Sequence, residues 1–322
     1  MATRRRFLIA TTVGLGGFAA RLCAEPKTRR IGIVYPEPPG APDQFRGWAA
    51  FDQEMRERGW IEGGNIVFER RYWHGDRTRL SGFMTELVAL HVDVIFVQGA
   101  LAVMAAKQAT DRIPIVFAVG DAIGRDVVAN VARPEGNVTG VSNRFREVMG
   151  KRVELLMQVS PGISRVVALM NTTLGYPPTL FHEPELRAVE IFIVDLRNTE
   201  EIASACASVS KLQADAILVA QGLNYESRSD LVDAITKLRL PAVFPGRSYV
   251  EMGGLLSFGN DFNLNFRRIA AQIDKLLRGS KPADLPVEQP TVFELAINLK
   301  TARDFGITIP RELLVRADWI VA

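Results

Sequence analysis

From residue 30 onward, short apolar runs alternate with stretches whose apolar positions recur at helical spacing. Arg30-Ile-Gly-Ile-Val-Tyr35, Asn65-Ile-Val-Phe-Glu69 and Val92-Asp-Val-Ile-Phe-Val97 read as strands, and Phe45 to Arg58 and Arg79 to Leu90 as helices. In the first of these helices Phe45, Trp48, Ala49, Phe51 and Met55 share a mostly apolar face, and Gly59 closes it. Strands that are short and apolar throughout, set between helices, predict a parallel sheet covered on both faces. Two runs end abruptly on a charge. Ile113 to Asp121, IPIVFAVGD, is apolar for seven residues and then stops on a glycine and a carboxylate; Leu240 to Arg247, LPAVFPGR, stops on a glycine and a guanidinium.

These runs belong to an internal repeat. Val92-Asp-Val-Ile-Phe-Val-Gln-Gly99, a helix and IPIVFAVGD are matched by Ala214-Asp-Ala-Ile-Leu-Val-Ala-Gln-Gly222, a helix from Ser229 to Leu238, and LPAVFPGR. The matching aspartates, Asp93 and Asp215, are 122 residues apart and the matching prolines, Pro114 and Pro241, are 127 apart. Arg30 to Tyr35 has its own counterpart in Arg165 to Met170. The fold class expected is therefore α/β, with two doubly wound parallel-sheet lobes. In such sheets ligands sit beyond the carboxyl ends of the strands, where helix N-termini point into the crevice.

That placement selects the candidate ligand-binding residues. Asp121 and Arg247 end a strand in each lobe, so facing lobes would set an anion and a cation across a cleft. Asp121 also fits as the cap of a helix beginning at Ala122, and Arg247 as a solvated residue or an inter-lobe ion-pair partner. Ala100 and Leu101 open a helix running to Thr110, and their backbone N–H groups suit a carboxylate. Asn171, Gln221 and Asn224 follow strands of the second lobe. Tyr35, Tyr225 and Tyr249 suit either stacking on an aromatic ligand or core packing. The sharpest expectation is a ligand ammonium on Asp121 and a ligand carboxylate at Ala100 and Leu101.

Charge and cysteine content narrow the function class. The chain has 39 basic and 36 acidic residues, but Arg4, Arg5, Arg6 and Arg21 fall in the first 24 positions, where there is no acid; the rest is close to neutral, at −1. It has no electrostatic footprint for nucleic acid. Residues 1–24 read as an export signal, a positive segment followed by an apolar run, Phe7 to Ala20, too short to span a bilayer. Arg4-Arg-Arg-Phe-Leu8 resembles a twin-arginine export motif, with ordinary secretion the alternative, and cleavage fits after Gly17-Phe-Ala19 or Leu22-Cys-Ala24. Cys206 is then the only cysteine of the mature chain and reads as a small apolar filler on a helix. His74, His91 and His182 lack metal-ligand spacing, and no catalytic or phosphate-binding motif is present. No cofactor or metal is expected.

Four further segments carry a family resemblance. They are Gly59-Trp-Ile-Glu-Gly-Gly-Asn-Ile66, Ala132-Arg-Pro-Glu-Gly-Asn-Val-Thr-Gly-Val141, Gly150-Lys-Arg-Val-Glu-Leu-Leu156 and the tail Lys281 to Ala302. Together they resemble the ABC-transporter substrate-binding proteins that include tryptophan- and tyrosine-binding members. The resemblance implies a type I periplasmic binding fold whose lobes are joined by a three-stranded hinge, with crossings near Gly140, Gly259 and Pro286. It implies lobes of residues 27–140 plus 259–285 and 141–258 plus 286–322. It also implies a monomeric periplasmic protein that captures a small molecule, an amino acid or related carboxylate, for a permease in the inner membrane. Departures fall near the expected cleft: Ala100 stands where the family usually has threonine, Ala122-Ile123 where it has Pro-Val, and residues 171–184 are shortened. The alternatives are a sensor that feeds a membrane kinase and an exported enzyme on a Rossmann-like sheet. The proline-rich Pro36 to Pro42 after the first strand, where a cofactor enzyme needs a glycine-rich turn, disfavours the enzyme.

Overall fold

The computed structural model describes residues 28–36, 42–172, 181, 189–220 and 228–322. The apolar runs form two sheets. In the first, β1 (Arg29–Tyr35), β2 (Ile66–Tyr72), β3 (Val94–Gln98), β4 (Ile115–Val119) and β5 (Val138–Ser142) lie in the order β2-β1-β3-β4-β5, all parallel. The second contains β6 (Arg165–Met170), β7 (Glu190–Asp195), β8 (Ala216–Val219), β9 (Ala242–Phe244), β10 (Leu256–Asn260), β11 (Phe293–Asn298) and β12 (Trp319–Val321). Its order is β7-β6-β8-β9-β10-β11-β12, so its first five strands repeat the winding of the other sheet.

Among the described residues the helices are α1 (Pro42–Glu57), α2 (Thr78–Ala89), α3 (Ala100–Ala109), α4 (Phe145–Val159), α5 (Ile202–Lys211), α6 (Arg228–Lys237), α7 (Arg247–Glu251), α8 (Phe262–Leu277), α9 (Leu299–Phe305) and α10 (Arg311–Arg316). They cover both faces of each sheet. Val34, Ile95 and Phe117 pack with Met84 and Val103 on one face of the first sheet; Ile31, Ile33 and Phe96 pack with Phe51 and Ile273 on the other. In the second sheet Val166 and Leu218 meet Met149 and Leu156, while Val167 and Ile217 meet Val209 and Leu231. This double burial is why the strands are apolar without alternation; each such side chain contributes about 1.5–3 kcal/mol.

The register of the sheets reproduces the spacing of the repeat. Ile95 pairs with Ile115 and Ile217 with Ala242, positions offset by the same 122 and 127 residues as the matching aspartates and prolines. The aspartates do the same work in each lobe. Asp93 accepts from the Arg30 N–H at 2.8 Å and from Arg29 Nη1 at 2.7 Å, and Asp215 accepts from the Ser164 and Arg165 N–H groups at 2.8 and 2.9 Å. Each pins the start of the second strand of its sheet, β1 or β6, to its neighbour.

The chain passes between the sheets three times. After β5 it enters α4, which packs on the second sheet; after β10 it enters α8, which packs beside α1 on the first sheet. Glu288 bridges to Val141 at the edge of the first sheet before the chain enters β11 in the second. Asn143 joins two of the crossings, its carbonyl accepting from Asn260 Nδ2 at 3.2 Å and its Oδ1 from Asn265 Nδ2 at 3.0 Å. The second sheet is not wholly parallel as expected, because β11 runs antiparallel to β10. The chain leaves β10 at the carboxyl end of the sheet and re-enters from that same end, so its direction reverses.

Candidate ligand-binding site

The carboxyl ends of both sheets meet at the crevice between the lobes, and the residues there form three groups. The first is centred on Tyr35, the last residue of β1. Its ring is 2% exposed and sits against Trp48 at 5.2 Å between centroids, with Phe96 and Phe266 at 6.3 and 6.2 Å. Gly47 makes room for this cluster, since a Cβ there would lie 2.6 Å from the Phe266 ring. Gln98, the last residue of β3, lies beside the Tyr35 hydroxyl, and its carbonyl oxygen is buried without a partner. Burial pushes the Tyr35 phenol well above its ordinary range; Gln98 and the charge of Arg228 pull the other way.

Arg228 belongs to the opposite lobe and defines the second group. It is the first residue of α6 and only 8% exposed. Its Nη1 donates to Ser248 Oγ at 3.1 Å, and its guanidinium lies 4.8 Å from the centroid of the Tyr249 ring, which stacks on Phe244 at 5.4 Å. A cation at the positive end of a helix dipole gains nothing from the helix. It is held by the aromatic face and the hydroxyl, close enough to the other lobe for its charge to act on Tyr35.

The third group lines a cavity of about 180 Å³ beside Ser248, bounded by Arg46 on α1, Arg247 on α7, Asn260 and Asp261 at a crossing, and Glu294 on β11. Arg247 is committed to Glu251 at 3.1 Å, Glu294 at 3.5 Å and the Trp319 ring at 4.6 Å. Burial pushes the Glu294 carboxyl up, Arg247 pulls it down, and Asp261 adds to the rise. Arg46 is exposed and has no ion-pair partner among the described residues.

The other sequence candidates fall around these groups. Ala100 and Leu101 are the first two residues of α3, after Gly99 at φ 91°, and their N–H groups lie in the turn that has no intrahelical acceptor. Asp121 is partly exposed. It accepts from the Gly124 N–H at 2.9 Å and faces Arg146 Nε at 3.8 Å. The helix expected to begin at Ala122 is absent; the segment forms short turns, folded around the Asp121 carboxylate. Asp121 and Arg247 do not pair with each other, each having its own partners. Asn171 lies at the end of β6. Gln221, Asn224 and Tyr225 lie outside the described residues, as do His182 and residues 1–27. Tyr35 and Tyr249 are core residues at the floor of the crevice. Among the described residues no group of three or more His, Cys, Asp or Glu side chains is placed to hold a metal ion. No described helix is long and apolar enough to cross a membrane.

Gln98 and Arg228 were not singled out from sequence. Gln98 carried a signal, because both runs of the repeat end in Gln-Gly and only Gln221 was selected. Arg228 carried none: it follows a polar stretch and reads as part of a solvated helix face.

A model of the ABC transporter substrate binding protein family matches residues 47–321. The chain belongs to this family. This binding protein is 22% identical over 260 residues to a tyrosine-binding protein of Clostridioides difficile, covering 79% of this chain and 74% of that one. Among solved structures, the ABC domain from Streptococcus pneumoniae in complex with L-Trp superposes with a TM-score of 0.78 at 25% identity, over 90% of this chain and all of that one. A conserved domain protein from Vibrio cholerae gives a TM-score of 0.81 at 24% identity, over 91% of this chain and all of that one. The fold is the type I periplasmic binding fold, and the protein is a solute-binding component of an ABC system, not an enzyme.

Proposed function

We propose that this binding protein works in the periplasm, closes its lobes on a small carboxylate-bearing solute of the amino-acid class, and delivers it to an ABC permease in the inner membrane. The observation that carries the reading is Arg228, a buried cation of the second lobe whose charge reaches Tyr35 in the first. A buried guanidinium suits a planar anion better than any neutral group. The α3 N-terminus at Ala100 and Leu101 adds backbone donors for the same carboxylate. The buried carbonyl of Gln98 requires a donor, which an ammonium supplies. Relatives that bind tyrosine and tryptophan support the solute class.

In this reading the lobes comprise residues 27–140 with 259–285 and residues 141–258 with 286–322, and the crossings act as the hinge. Asp121 serves closure through Arg146 on α4, and Asn171, Gln221, Asn224 and Arg247 are the solute contacts proposed for the second lobe. Export proceeds by the twin-arginine route, so changing Arg4 and Arg5 to lysine strands the precursor in the cytoplasm; normal export of that double variant would refute the route. Capture is tested by small-angle scattering, where the radius of gyration falls on addition of the solute. Delivery is tested in liposomes, where the loaded protein stimulates ATP hydrolysis by the permease. Capture without stimulation would leave a sensor role instead.

A further inference from the structure

The segment Gly150 to Leu156 was notable in the sequence, yet the ligand site does not use it. Its centre is Arg152, on α4, with no exposed surface. A buried guanidinium is costly unless its donors are satisfied, and here they are spent on carbonyls at the ends of β8 and β9 and on one in the middle of the adjacent β10. Nε donates to the Phe258 carbonyl of β10 at 2.7 Å, Nη1 to the Val219 and Ala220 carbonyls at the end of β8 at 3.2 Å each, and Nη2 to the Pro245 carbonyl just after β9 at 3.3 Å. Strand-end carbonyls have run out of ladder partners, so one planar group with five N–H donors answers several of them at once.

What these carbonyls lead to gives the arrangement its meaning. Pro245 is followed by Gly246, Arg247 and Ser248, and Ser248 is the hydroxyl that accepts from Arg228. Phe258 is followed by Gly259, Asn260 and Asp261, where the chain crosses to the other lobe. Gly259 permits the close approach: a Cβ there would lie 2.1 Å from the Pro245 carbonyl oxygen and 3.4 Å from Arg152 Nη2. We propose that Arg152 is a positioning residue that locks the crossing strand β10 to the ligand-facing ends of β8 and β9, so that the wall holding Arg228 and the hinge move as one body. Solute contact at that wall is then transmitted to the crossing without slack. The inference rests on the fold and not on which solute is bound.

The test is hydrogen–deuterium exchange of the ligand-free protein, comparing the parent with Arg152→Met and Arg152→Lys. Methionine fills the space but donates nothing; lysine keeps the charge but concentrates its donors at one nitrogen. In Arg152→Met, exchange in peptides covering residues 242–248 and 256–261 rises at least tenfold, with residues 138–142 and the α8 helix unchanged, and Arg152→Lys restores part of the protection. A residue that merely fills the core would loosen the whole lobe instead. Parent-like protection of 242–248 and 256–261, or an equal rise across both lobes, would overturn the proposal. Should the methionine variant fail to fold, the lysine variant is read alone: a local rise supports the proposal and its absence overturns it.

Discussion

The guanidinium of Arg228 lies 4.8 Å from the centroid of the Tyr249 ring. The aromatic face and the Ser248 hydroxyl hold the cation at the start of α6, with Tyr35 of the other lobe within reach of its charge. A site built this way loses its anion when the charge is removed. In Arg228→Gln, affinity for the solute falls by about 30-fold or more, the range expected when one partner of a buried charge pair is deleted. Arg228→Lys falls between, since it keeps the charge and loses the fork. Titration calorimetry of the three proteins measures this; equal affinities would remove Arg228 from the site.

Gln98 predicts a trade between stability and binding. Its carbonyl oxygen is buried without a partner, so replacing the side chain with an apolar one of similar size removes that cost in the ligand-free state. Gln98→Leu therefore melts at or above the parent temperature while binding the solute at least several-fold more weakly. A clear loss of stability with unchanged binding would make Gln98 a support for Tyr35 and nothing more.

Asp121 separates two roles. Its carboxylate accepts from the Gly124 N–H and faces Arg146, both of which concern the turn and the contact between lobes. Asp121→Asn keeps the acceptor, so binding and stability stay close to the parent, whereas Asp121→Ala costs about 0.5–2 kcal/mol of stability, as for other lost caps. A large loss of affinity in Asp121→Asn alone would instead identify Asp121 as the contact for a ligand ammonium.

Asp215 gives a dependence on pH. Hydrogen bonds from the Ser164 and Arg165 N–H groups hold its carboxyl below the usual aspartate range. A depressed folded-state pKa gives stability that is present above the unfolded value, about 4, and is lost as pH falls through the folded one. The difference in melting temperature between the parent and Asp215→Asn is therefore full at pH 7 and shrinks below about pH 4. A difference that does not change with pH would mean that the charge of Asp215 contributes nothing.

Much of this architecture was legible in the sequence because it is local and repeated. The apolar runs gave the central strands of both sheets, and the offset between Asp93 and Asp215 survives unchanged in the strand register. The direction of β11 was not legible, since it depends on the end from which the chain returns after α8. The site was legible only in part. Asp121 and Arg247 do stand at strand ends facing the crevice, but their partners, Arg146 and Glu294, come from elements distant in sequence. Arg228 was not legible for a related reason: its burial arises from packing against Tyr249, which no local pattern encodes.

The central claim is that one carboxylate-bearing solute is held between the lobes by Arg228. Native mass spectrometry of the protein purified gently from its native source, followed by release and identification of the bound small molecule, tests it most directly. The account predicts one solute per chain, carrying a carboxylate and an amino group, and missing from Arg228→Gln prepared in the same way. A solute without a carboxylate, or one retained equally by Arg228→Gln, would contradict it.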